Sequence, residues 1–150
     1  MPTIKVKEVK QKNTNWCWAA CCEMFSTYYD GKQTQDEFVN EFNKKFKHGL
    51  NAKASYSETN WLLANSPKKL QATATMKSIT WAEVNAYILK NKLIIASRKN
   101  HAILIVGTDT NAINGDMLLV RDPNPSTATG PLKLNYAEFK KDWVASVIKA

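Results

Sequence analysis

The chain has 150 residues, 44% of them hydrophobic and 23% charged, which suits one globular domain able to bury roughly two thirds of its unfolded surface. No apolar stretch approaches the ~18 residues of a membrane-spanning helix, so a soluble protein with no membrane partner is expected. The formal net charge is +8, but the lysines are scattered and arginine, the better bidentate phosphate ligand, stands only at 98 and 121, so nucleic-acid binding is not expected.

Met1 to Lys7 lack the apolar core of a Sec-type signal. A cytoplasmic protein, export by a route that reads no such signal, or a piece of a longer precursor are the readings left. Ile4 to Val9 alternates like a short edge strand. Asn13-Thr14-Asn15 then offers cap residues for a helix from Cys17 to Tyr29, stopped at Asp30-Gly31. Thr34-Gln35-Asp36-Glu37 is a capping box, leading a helix whose Phe38, Phe42 and Phe46 recur every fourth residue and which stops at Gly49. A short helix is expected from Ser57 to just before Pro67, and a strand from Leu70 to Thr75. Thr80-Trp81-Ala82-Glu83 is a second capping box, before a helix carrying Val84, Tyr87 and Ile88. The rest is β-rich: strands at Leu93–Arg98, His101–Gly107 and Met117–Arg121, a short helix capped by Asn135, and a strand from Trp143 to Ile148. Helices first and strands second predict an α+β fold, a single domain over 1–150 in which a helical half packs on an antiparallel sheet.

The chemistry-bearing residues are few. Three cysteines crowd one helix at 17, 21 and 22, where neighbours rarely have bridging geometry, and no usual zinc spacing is present; neither a disulfide nor a metal site is expected. Cys17 sits at the helix start, where dipole and free N–H groups favour a thiolate, whereas Cys21 and Cys22 lie deeper and suit packing. Of the two histidines, His48 closes a lysine-rich helix end and has an ordinary structural role, while His101 opens an apolar strand. If strands 101–107 and 117–121 form a hairpin about a loop centred near 111–112, His101 faces Asp122, whose carboxylate is then placed to accept from the ring's Nδ1–H. Asp122 in Asp122-Pro123-Asn124-Pro125 also reads as a turn residue, and both readings can hold.

These residues resemble the papain-like cysteine peptidases: Gln11 six residues before Cys17, Cys17-Trp18 opening a central helix, and His101-Ala102 followed by apolar residues and Gly107. The resemblance implies the papain-like fold and a Cys17–His101–Asp122 triad. It also implies an oxyanion hole from the Gln11 side chain and the Cys17 backbone N–H, a protein or peptide substrate and no cofactor. The chain departs from papain in carrying Asn13-Thr14-Asn15-Trp16 before the cysteine, in having an aspartate in the orienting position, and in its shortness. In these it is more similar to compact bacterial branches: staphopain-like enzymes, avirulence-effector proteases and bacteriocin-processing peptidase domains. A monomeric endopeptidase serving as an effector or toxin is one expectation. Glutamine deamidation or transglutamination on the same fold, and a catalytically silent basic binding module, are the alternatives.

Overall fold

The computed structural model describes residues 3–111, 113 and 115–150. Among these residues five helices and six strands follow one another: α1 (Cys17–Tyr28), α2 (Gln35–Phe46), α3 (Tyr56–Ala64), β1 (Ala72–Thr75), α4 (Trp81–Leu89), β2 (Ile94–Arg98), β3 (Ala102–Asn111), β4 (Gly115–Arg121), β5 (Leu132–Asn135), α5 (Tyr136–Lys140) and β6 (Trp143–Lys149). The strands make one antiparallel sheet in the order β1-β6-β2-β3-β4-β5. The expected α+β layout is present. Among the described residues no helix is long and apolar enough to cross a membrane.

The sheet centre explains its own burial. Ile94-Ile95-Ala96 and Ala102 to Val106 are continuous apolar runs, and all of these residues are buried, so β2 and the start of β3 are covered on both faces. Helix α1 packs against β3 and is itself apolar on most sides, with Trp18, Ala19, Ala20, Cys21, Cys22, Met24 and Phe25 all buried. The helices around it start where side chains cap them. Thr34, Ser55 and Thr80 each close a reciprocal capping box, a device whose cap residue is worth about 1 kcal/mol. Ser55 with Glu58 starts α3 one residue before the expected Ser57.

Three local expectations are corrected. The predicted N-terminal strand is a single bridge, Thr3 to Gly107, with Ile4 N–H donating to the Val106 carbonyl at 2.6 Å. Further along, a buried glutamine takes the place of a ladder: Gln35 accepts from Lys12 N–H (3.0 Å) and donates to the Lys10 carbonyl (2.9 Å). The β3–β4 hairpin turns about residue 113 rather than 111–112, and a bulge between Ile105 and Gly107 adds one residue to β3. Leu104 therefore pairs Arg121, two residues from the expected register. A shift of two preserves faces, so His101 and Asp122 stay on the same side. Strand β5, not anticipated, pairs β4 from Val120↔Leu132 to Met117↔Asn135.

Candidate active site

Cys17 is the first residue of α1, and that helix start lacks a side-chain cap. Trp16 occupies the cap position at φ −100°, ψ 19°, with no side-chain hydrogen bond to the first turn. The expected cap residues are used elsewhere. Asn15 Nδ2 donates to the Asn51 carbonyl (2.7 Å), Asn13 Nδ2 to Asn51 Oδ1 (3.0 Å) and Trp16 Nε1 to the Leu50 carbonyl (2.8 Å). Trp18 Nε1 adds a longer bond to the Ala52 carbonyl (3.4 Å). The segment that departs from papain is thus a tether for the loop 50–53. An uncapped first turn leaves N–H groups free for another acceptor, and the Trp18 N–H helps to favour the Cys17 thiolate.

His101 stands in the tight turn between β2 and β3, where its carbonyl accepts from Arg98 N–H at 2.7 Å. Its Nε2 lies 2.6 Å from Asp122 Oδ1. The ring is therefore turned opposite to expectation: Nε2, not Nδ1, meets the carboxylate, and the neighbouring Cys17 thiol also acts on the ring. Asp122 Oδ1 also accepts from Asn124 N–H at 2.9 Å, so the aspartate both makes the turn and holds the histidine.

The electrostatics follow from these contacts. Burial pushes the Cys17 thiol up, but hydrogen bonds from His101, Ala102 N–H and Trp18 N–H outweigh it, and the thiol falls below its ordinary value. The Asp122 hydrogen bond, followed by that from Cys17, raises His101 to about 9. Burial also opposes ionisation of Asp122, yet His101, the Asn124 N–H and the nearby Lys10 charge hold it below the usual carboxylate value. These shifts favour a thiolate beside an imidazolium. Burial pushes Cys21 and Cys22 upward, as expected of packing thiols. His48 meets Glu58 (3.2 Å) and stacks on Phe46, lining neither cavity beside Cys17 and His101.

Gln11 reaches the same region. Its N–H donates to the Pro123 carbonyl at 2.8 Å, tying it to the Asp122 loop, and it lines a cavity together with His101. Its Nε2 donates to the carbonyls of Asn13 (3.1 Å) and Thr14 (2.8 Å).

A polar layer behind Asp122 escaped the sequence reading. Lys10 Nζ donates to the Asp122 carbonyl (2.9 Å) and Thr127 Oγ1 (3.1 Å), and pairs with Glu8 (3.1 Å). Buried Glu8 also meets Arg121 Nη1 (3.3 Å) and accepts from Gly130 N–H (3.2 Å). Glu8 and Lys10 read as surface alternation because their partners are over a hundred residues away. Two cavities flank His101. One, about 230 Å³, lies over Ile95, Tyr56, Ala145 and Val147 beside Cys17. The other, about 680 Å³, runs along Gln11, Lys12 and Asn124.

The chain matches the Peptidase C39-like family over residues 3–148. No curated protein matches it. Its fold is similar to a double-glycine-motif protease from an AMS/PCAT transporter, solved with the leader peptide, at 18% identity and a TM-score of 0.66, covering 98% of this chain and 93% of that one. It is also similar to the peptidase domain of Streptococcus ComA, a bifunctional ABC transporter of a quorum-sensing pathway, at 15% identity and a TM-score of 0.63, covering 97% of each. UfSP from C. elegans, at 14% identity and a TM-score of 0.67, is matched by 99% of this chain over 33% of its own length. At these identities the structural likeness is one of fold, and the family match adds the chemistry class: the chain belongs to the Peptidase C39-like family and is a cysteine peptidase of papain-like fold.

Proposed function

We propose that the chain is an endopeptidase in which Cys17, His101 and Asp122 act as nucleophile, acid–base and orienting carboxylate. The observation that carries this reading is the 2.6 Å contact of His101 Nε2 with Asp122 Oδ1 on a ring that also lines the cavity beside Cys17 and favours its thiolate. The Cys17 thiolate attacks the scissile carbonyl, forming a C–S bond and an oxyanion. His101 gives its Nδ1 proton to the leaving amine, and water, deprotonated by the same nitrogen, hydrolyses the thioester and releases the thiolate. The uncapped N–H of Cys17 and the Gln11 amide serve the oxyanion, which then replaces the Asn13 or Thr14 carbonyl as acceptor from Gln11 Nε2.

The substrate is an extended peptide laid between the two cavities, a reading supported by the relative solved with a leader peptide. The enzyme works as a monomer in this reading. An effector or toxin role rests on compactness alone, and no contact in the site bears on it. The test is cleavage of a denatured proteome, with products read by mass spectrometry. Wild type yields new peptide termini, and Cys17→Ala, folded by thermal melt, yields none. Glutamine converted to glutamate in intact chains would instead assign deamidation.

A further inference from the structure

Resting on the endopeptidase reading, we propose that the enzyme selects acidic peptides, seating an apolar side chain in the smaller cavity while Lys53 and Lys99 hold carboxylates beside it. Apart from His101, every ionisable side chain lining the two cavities, other than the Cys17 thiol and Tyr56, is a cation. Lys53, Arg98 and Lys99 border the smaller, Lys12 and Lys53 the larger, and no aspartate or glutamate lines either. Two of these cations are already compensated. Arg98 pairs with Asp142 (3.3 Å) and lies over the Phe139 ring, and Lys12 pairs with Asp36. Lys53 reaches only the Asn100 carbonyl (3.1 Å), and among the described residues neither it nor Lys99 has a carboxylate partner. Both are exposed: Lys53 ends the tethered loop 50–53 and reaches the turn before His101, in which Lys99 stands.

The cavity between them fixes the second requirement. Ile95, Tyr56, Val144, Ala145 and Val147 make most of its exposed wall apolar, with Ser55, Thr59, Ser97 and Asn100 as the polar exceptions. An apolar cavity of roughly 150 Å³ admits benzene, so about 230 Å³ takes a branched or aromatic side chain. Lys53 lines both cavities, so its charge acts on either side of the reaction centre. Each exposed lysine–carboxylate pair is weak alone. Two of them flanking a buried side chain discriminate by sign, because a basic peptide meets like charges at both. The net charge of +8 adds attraction over longer range.

Length-matched fluorescent peptides with a central phenylalanine flanked by Glu, Gln or Lys test this, bound to Cys17→Ala by anisotropy and turned over by wild type. The Glu-flanked peptide is expected to bind roughly tenfold tighter than the Lys-flanked one at low salt, with the gap closing at high salt. Lys53→Glu with Lys99→Glu should reverse the order, and replacing the central Phe by Ser should weaken all three. Equal binding of the Glu and Lys peptides, or an order unchanged by the double reversal, overturns the proposal. So does displacement by an oligonucleotide of matched charge with no dependence on the central residue, which would make the cleft a general polyanion site. Absence of turnover in wild type would sink the endopeptidase reading alone, since the anisotropy measurement still decides the selectivity.

Discussion

Two thiols four residues apart on one helix differ because their surroundings do. Cys17 has His101 and two backbone N–H donors acting on it, whereas Cys21 is fully buried, and burial together with the nearby Cys17, Cys22 and Asp122 opposes its ionisation. His101 owes its raised pKa first to Asp122, so the third residue sets both ring direction and charge. Asp122→Asn keeps an oxygen acceptor for Nε2–H and for Asn124 N–H but loses the charge. We therefore expect it to retain turnover, with the alkaline limb of its pH–rate profile moved below the wild-type position near 9. Asp122→Ala frees the ring and opens the turn, and its kcat/KM should fall further, by roughly 10²-fold or more. Measured on one peptide across pH, equal losses in both variants would mean that charge alone matters. Full activity in both would place the orienting group elsewhere.

At the scale of elements, α1 begins without a cap, and the residues that could have capped it hold the loop 50–53. That loop carries Lys53 into the cleft wall, so its position bears on substrate and not on the thiol. Asn15→Ala with Trp16→Phe removes two of its tethers while keeping the indole's apolar neighbour. KM should rise several-fold with kcat and the Cys17 alkylation rate near wild type; a fall in kcat with KM unchanged would contradict this role. The same elements mark what was legible in the sequence. Capping boxes at Thr34 and Thr80, the apolar strands β2 and β3, and the proximity of His101 to Asp122 follow from short-range patterns, and all are present. Cap-competent Asn13 and Asn15 were misassigned because the competing acceptors lie in a loop some thirty-five residues away. The hairpin register slipped because a bulge inside an unbroken apolar run has no composition signal. Ring direction was misread because it depends on where the thiol lies in space.

For the molecule as a whole, the N-terminal strand-like segment is the brace of the site rather than part of the sheet. Ile4 and Val6 are buried, Gln11 N–H ties to Pro123, and Lys10 with Glu8 grips the loop after β4. Glu8, with a side chain only 7% exposed between Lys10 and Arg121, is the centre of that grip. Glu8→Gln leaves the half-buried Arg121 without its carboxylate, and we expect a loss of roughly 2–3 kcal/mol by denaturant titration, with activity falling through a loosened Asp122 loop. An unchanged midpoint would mean that solvent replaces Glu8 at no cost.

The same charges give the fold a pH signature of determinable sign. His101 is raised to about 9, so the folded state binds its proton more tightly than the unfolded chain does. The stabilisation is full below the unfolded value near 6.5 and is lost as pH rises from there to about 9. Asp122 is lowered, so its contribution is present above about 3.9 and is lost as pH falls through its folded value. Cys17 is also lowered and acts against the histidine, because early thiolate formation stabilises the fold as pH approaches the ordinary thiol value. Removing the thiol isolates the histidine. In Cys17→Ala the Asp122 contact, the largest cause of the His101 shift, is untouched. Its melting temperature should therefore decline from about pH 6.5 to 9, whereas Cys17→Ala with His101→Ala should be nearly flat over that window. Parallel declines in the two variants would show that the slope comes from other groups, and that Asp122 does not hold His101 protonated in the folded enzyme.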